Sequence, residues 1–141
     1  MSTTKDELTN LNLNKENSIV IGSGILQALG IRKSNDIDLV VDRNVFDLLK
    51  NSEKFTLTEN RGKTILQNNI FDIGTEWNVL GKSYKLGDLL TDSVVIDNVR
   101  YITLDFLYAV KKSWITGDKV PRDKDINDIK LIERYFETQV S

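Results

Sequence analysis

The sequence predicts an α/β (α+β) fold, a mixed β-sheet with flanking helices and a helical C-terminal end. Three observations carry this expectation. Short β-branched runs, SIVIG at 18–22 and DIDLVV at 36–41, alternate with helical stretches in the first third. The middle third is cut into brief strand-like runs by polar and glycine turns. In the last third Ile126, Ile129, Ile132 and Phe136 recur at helical spacing. The 141 residues fit one domain spanning 1–141, long enough to bury a substantial core. No internal repeat, low-complexity segment or linker interrupts it.

Residues 1–17 are polar, with a short helix expected near 6–13 and partial fraying around it. SIVIG at 18–22 stops at glycine and reads as a buried strand. SGILQALG at 23–30 places Ile25, Leu26 and Leu29 on one helical stripe, with Gly30 to end it. The strand at 36–41 is followed by a helix near 45–51. Strand-like runs follow at 55–58, 63–67 and 70–74, with Asn60-Arg61-Gly62 as one of the turns. Residues 94–96 and 100–102 flank Asp97-Asn98 and predict a small hairpin. Thr103 can cap a helix over 104–116, and Pro121 introduces the final helix; residues 103–141 are expected to pack on the core.

Composition narrows the chemistry. Apolar residues make up 40% of the chain and charged residues 28%, as in an ordinary globular protein. The net charge of −2 gives no global basic field to attract nucleic acid. No apolar run approaches 18 residues, and MSTTKDELTN lacks the basic and apolar regions of a signal peptide, so a cytoplasmic protein with no membrane partner is expected. The sequence has no Cys and no His. Disulfides, thiolate nucleophiles, Ser–His–Asp triads and Cys- or His-ligated metals are thereby excluded. Catalysis would have to use carboxylates, amines, hydroxyls or an ion, and a carboxylate-held ion would be Mg²⁺ or Mn²⁺.

The informative stretch is IVIGSGILQALGIRKSNDIDLVVD at 19–42. It reads strand, Gly-Ser-Gly turn, helix, loop, then a strand opening with Asp-Ile-Asp. Side chains alternate along a strand, so Asp36 and Asp38 share a face, about 7 Å apart, where they can share or bracket divalent cations. A solvent-facing pair at a strand end is the plain alternative. The turn formed by Gly22, Ser23 and Gly24 strengthens the functional reading. Backbone N–H groups at a helix start, with the Ser23 hydroxyl, suit phosphate oxygens. A phosphate cradle and a carboxylate pair on successive strands are two halves of a nucleoside triphosphate site.

This pattern, strand, Gly-Ser, twelve residues, Asp-x-Asp, resembles the signature of the nucleotidyltransferase (DNA polymerase β-like) superfamily. The resemblance implies a nucleotidyltransferase core and a third carboxylate from a later strand, for which Asp72 in Ile70-Phe71-Asp72-Ile73 is the match. Asp42 and Asp47 fit less well, at the strand end and on the following helix. The C-terminal third carries a second likeness. LYAVKKSW at 107–114 followed by RDKDINDI at 122–129 is similar to the ending of small bacterial nucleotidyltransferases related to abortive-infection and toxin–antitoxin enzymes. Lys111 falls on the apolar stripe of Leu104, Leu107, Tyr108 and Ile115, so its stem should lie against the core. It would serve either as a phosphate contact or in a salt bridge to Asp125 or Asp128. Lys124 is a further nucleotide contact, or an i,i+4 partner of Asp128.

The resemblance implies Mg²⁺-dependent (or Mn²⁺-dependent) transfer of a nucleoside monophosphate from an NTP to an acceptor hydroxyl, with release of pyrophosphate. Asp36, Asp38 and Asp72 would be the catalytic, metal-binding carboxylates. Gly22, Ser23, Gly24, Lys111 and Lys124 would bind the nucleotide. The acceptor, a small molecule, a tRNA end or a protein, is not legible, nor is the base. The chain is short for enclosing a bulky acceptor, so a homodimer or a partner subunit is expected to complete the site. A non-catalytic member of the same fold, acting as a binding or antitoxin-like partner, is the alternative. A Rossmann site is a decoy: Gly22-x-Gly24 follows a strand and Asp42 lies about 20 residues on, yet Gln27 stands where the third small residue belongs. No P-loop motif occurs.

Overall fold

The computed structural model describes residues 3–60, 62–116 and 120–139. The chain opens with helix α1 (Thr4–Asn10), started by a reciprocal capping box in which Thr3 accepts from the Asp6 amide and Asp6 accepts from the Thr3 amide. Leu8 and Leu13 are buried in the core, docking this polar segment. Next come β1 (Ser18–Ile21), the short helix α2 (Gly24–Ala28) and β2 (Ile37–Val41). Asp42 caps α3 (Arg43–Lys50) by accepting from the Val45 amide at 2.9 Å, a structural task for the residue a Rossmann site would have used.

Strands β3 (Thr56–Asn60), β4 (Lys63–Gln67) and β5 (Phe71–Gly74) form a meander. A separate two-stranded hairpin follows, β6 (Glu76–Val79) and β7 (Lys82–Lys85), leading into α4 (Leu86–Leu89) and one 3₁₀ turn. The expected hairpin at 94–102 is present as β8 (Ser93–Ile96) and β9 (Val99–Ile102). Asp97 and Asn98 both take positive φ, 49° and 63°, as such a two-residue turn requires. Thr103 caps α5 (Leu104–Ile115), as its sequence indicates, and α6 (Asp123–Gln139) closes the described chain.

The main sheet has seven strands in the order β3-β4-β5-β2-β1-β9-β8. It is mixed: β2 runs parallel to β5 and β1 parallel to β9, while β1 and β2 are antiparallel neighbours. That last pairing rules out the βαβ crossover on which a dinucleotide site depends. Strand alternation divides the core between two faces. Val20, Leu39, Val41, Phe71 and Ile73 pack with Ile25, Leu26, Phe46, Leu107 and Ile132 from the helices. On the opposite face Ile19, Ile21, Val40 and Ile102 lie under Leu86, Leu89 and the aromatics Trp77, Tyr84 and Phe106. Tyr84 meets Phe106 edge-on at 5.3 Å between ring centroids. Among the described residues no helix is long and apolar enough to cross a membrane.

Candidate active site

Asp38 is the second residue of β2, two positions before Val40, and so belongs to the face of Val40 and Ile21. Its register partners are Ile21 on one side and Asp72 on the other. Directly opposed residues of a parallel pair present their side chains to the same face, and the two carboxylates therefore meet. Asp72 is fixed in turn by Gln67, opposite it on β4, whose Nε2 donates to Asp72 Oδ1 at 2.9 Å. Gln67 escapes motif reading because it belongs to no signature. A two-residue turn between 63–67 and 70–74 would have set Gln67 across from Ile70; the observed turn lies one residue later, at 69–70, and sets it across from Asp72.

The Gly-Ser turn lies against this pair. Gly22 sits at φ +67°, and a Cβ there would stand 3.0 Å from Asp38 Oδ2. Gly24 has no such dihedral demand, but a Cβ there would come within 2.3 Å of Val20 Cγ1. The first glycine lets the chain turn sharply beside the carboxylate, and the second lets α2 seat against β1. Ser23 makes no side-chain cap to α2; its Oγ lies 2.9 Å from Ser34 Oγ. Ser34 Oγ also donates to the Asp36 carbonyl at 3.2 Å, and the Ser34 amide donates to Gln27 Oε1 at 2.7 Å. The turn and the loop entering β2 are thus stitched together.

Asp36 does not share the strand with Asp38 as its spacing suggests. β2 begins at Ile37, and Asp36 occupies the bend before it, exposed. Its charge still reaches Asp38. Burial first, then the Asp72 charge, a hydrogen bond with Asp72 and the Asp36 charge push the Asp38 carboxyl up to about 7, against a smaller opposing pull from Lys124. Asp38 therefore keeps its proton well above the pH at which an ordinary aspartate loses it, and releases it only near neutrality. Among the described residues no three carboxylates converge closely enough to form a ready-made metal cluster. The expected triad is a half-buried pair, Asp38 and Asp72, with the third acid exposed in the bend before β2.

Of the two roles open to Lys111, phosphate contact or salt bridge to Asp125 or Asp128, its contacts are those of the salt bridge. It is 4% exposed, and its Nζ donates to Asp125 Oδ1 at 2.8 Å and lies 3.0 Å from Asp128 Oδ2. Each of these carboxylates also takes an arginine: Arg122 Nε to Asp125 at 2.9 Å, and Arg32 Nε and Nη2 to Asp128 at 2.6 and 2.8 Å. Burial alone would raise both aspartates, but the hydrogen bonds and charges of Lys111 and the arginines outweigh it and hold both below the usual range. Trp114 lies beside this cluster, its ring 5.6 Å from Lys111 Nζ and 5.9 Å from the Arg122 guanidinium carbon. Because Asp128 is taken by Arg32 and Lys111, Lys124 is left outside the cluster, exposed and near enough for its charge to be felt at Asp38. Arg32 carried no signal in the sequence, since its partner lies 96 residues away.

Neither a family model nor a curated protein matches the sequence. Among solved structures the chain is similar to a Thermotoga maritima protein described as a "putative nucleotidyltransferase", with a TM-score of 0.50 and 13% sequence identity, covering 97% of this chain and 96% of that one. At that identity the likeness concerns the fold, a nucleotidyltransferase-like α+β architecture around a mixed sheet.

Proposed function

We propose that the chain is a metal-dependent nucleotidyltransferase, moving a nucleoside monophosphate from an NTP to an acceptor hydroxyl and releasing pyrophosphate. The observation that carries this reading is the meeting of Asp38 and Asp72 on adjacent strands beside the Gly22-Ser23 turn. The residues fit Mg²⁺ or Mn²⁺. The donors are hard carboxylate oxygens, and the pair carries a charge repulsion that a cation would relieve. Mg²⁺ is commonly held by one or two carboxylates, with water and substrate phosphates completing its shell, so a preformed cage of three acids is not required. When bound, the ion would neutralise phosphate charge and acidify an attacking hydroxyl.

The chain's own groups have distinct tasks in this reading. Asp38 and Asp72 hold the ion, Asp36 adds negative charge at the mouth, and Asp72 takes up the acceptor proton. Gln67 keeps Asp72 in place for that step through its 2.9 Å hydrogen bond. The Ser23 hydroxyl and the backbone at Gly22 and Gly24 receive phosphate oxygens, and Lys124, whose charge is felt at Asp38, supplies a cation. Lys111 is not used as a phosphate contact here; it takes its salt-bridge alternative and holds α6 to α5. Rate enhancement then comes mainly from positioning and charge neutralisation.

A second reading, a non-catalytic binding protein of the same fold, is favoured by one observation: the three acids do not converge among the described residues. A transfer assay separates the two. Each of the four NTPs, labelled at the α-phosphate, is incubated with Mg²⁺ and, separately, total tRNA, an aminoglycoside or whole-cell protein. The proposed activity leaves label covalently on one acceptor class with wild type and none with Asp38→Ala. Nucleotide binding without transfer to any acceptor favours the second reading. Equal labelling by Asp38→Ala overturns the assignment of the site.

A further inference from the structure

The buried ion cluster does more than join two helices, because one of its arms leaves them. Arg32 lies in the loop between α2 and β2, the same loop that carries Ser34 and Asp36. Its guanidinium faces two ways. Nη1 donates to the Lys33 carbonyl of its own loop at 2.7 Å, while Nε and Nη2 form a bidentate pair with Asp128 in the second turn of α6. A planar guanidinium bound on both sides fixes distance and angle together, which a lysine ammonium would not. From Lys33 the connection passes to Ser34 and then to Ser23 Oγ. From Asp128 it passes through Lys111 to Asp125, the neighbour of Lys124. A path of hydrogen bonds, ion pairs and single backbone steps therefore joins the Gly-Ser turn to the first turn of α6.

We infer that Arg32 is a positioning residue: through Asp128 it locks the loop of Ser34 and Asp36 to α6 and so sets the spacing between the Gly22-Ser23 turn and Lys124. This rests on the triphosphate site proposed above and extends it. A phosphate chain would have to touch the turn at one end and Lys124 at the other. The span between those groups then decides whether both engage one ligand. Arg32 touches neither ligand nor metal and acts only by holding that span. The residue is one-fifth exposed while its partner Asp128 is almost wholly buried, so the arm can be altered from the surface with less disturbance than Lys111 would suffer.

The test is a double-mutant cycle of Arg32→Gln and Lys124→Gln, read by calorimetric titration of Mg²⁺ with inorganic tripolyphosphate, a probe that has the phosphate chain without a base. Each single variant is expected to bind about tenfold more weakly than wild type, and the double variant no more weakly than Lys124→Gln alone, because Arg32 acts through Lys124. Mn²⁺ affinity in the absence of phosphate should be unchanged in Arg32→Gln, since the Asp38–Asp72 pair is not touched. Should Arg32→Gln fail to fold, Arg32→Lys takes its place; it keeps the charge, loses the fork, and is expected to weaken binding about threefold. Losses that multiply in the double variant, or a parallel loss of Mn²⁺ affinity, would overturn the inference while leaving the site assignment intact. A folded wild type that binds neither tripolyphosphate nor any NTP would overturn the site, and this inference with it.

Discussion

Replacing Asp38 by Asn should make the protein more stable, by an amount that depends on pH and on divalent cations. Asp38 is pushed from 3.8 up to about 7 by burial and by the acids around it. The sign follows from linkage. The folded chain keeps the Asp38 proton up to about pH 7, whereas the unfolded chain loses it near pH 4. Stability is therefore full below pH 4 and declines as pH rises towards and through 7. At about 1.4 kcal/mol per pKa unit, the displacement corresponds to roughly 4 kcal/mol of penalty at alkaline pH. Asn is nearly isosteric, carries no charge, and its amide can donate to Asp72 where the shared proton had been. Asp38→Asn should thus gain about 2–4 kcal/mol over wild type at pH 8 in EDTA, and nothing at pH 4. Urea melts at pH 4, 6 and 8 measure this directly. Mg²⁺ should raise wild type at pH 8 and leave Asp38→Asn almost unmoved, closing the gap. A variant less stable than wild type at pH 8, or a difference independent of pH, would refute the account of the pair.

The remaining expectations concern the turn, the brace and the outlying acid. Gly22→Ala must adopt φ +67° and bring a methyl to 3.0 Å from Asp38 Oδ2, so a loss of about 1–2 kcal/mol is expected in chemical denaturation, together with weaker nucleotide binding. Gly24→Ala, whose methyl would meet Val20 Cγ1 at 2.3 Å, should lose about 1–3 kcal/mol through overpacking between α2 and β1. Lys111→Met removes the cation shared by two buried carboxylates and should cost about 3–5 kcal/mol in the same assay; a near-neutral result would contradict the placement of Lys111 in a closed ion cluster. Asp36→Asn should weaken Mg²⁺-dependent nucleotide binding by less than about tenfold, against a hundredfold or more for Asp38→Asn, because it stands outside the half-buried pair.

Much of the fold was legible because its signals were local. The run 18–22, the cap at Thr103, the Asp97-Asn98 turn and the helical stripe ending at Phe136 all depend on neighbours a few residues away. The hairpin β6–β7 was not legible, and its turn explains why: Leu80 and Gly81 both take positive φ, 55° and 74°, and a leucine in that conformation gives no turn signal. The site was legible to a similar depth. Asp36 and Asp38 were paired on one strand and Asp72 named as a third acid; the parallel register of β2 and β5 instead sets Asp38 beside Asp72. The strand period over-extended to Asp36, because the loop held by Ser34 delays the start of β2 by one residue. Lys111 illustrates the other limit. Its stripe correctly put the stem against the core, and Asp125 and Asp128 were named for its salt-bridge alternative, but the Arg32 arm beyond them is set by tertiary contacts with no periodic trace.

In the proposed function Asp38 and Asp72, beside the Gly22-Ser23 turn, form one metal–triphosphate site. Calorimetric titration of ATP, CTP, GTP and UTP, each with and without Mg²⁺, against wild type and the Asp38→Ala/Asp72→Ala double variant tests it most directly. Wild type should bind at least one nucleotide in a Mg²⁺-dependent manner, and the folded double variant should not. Binding that survives the double substitution, or a folded wild type that binds none of the four, would contradict it.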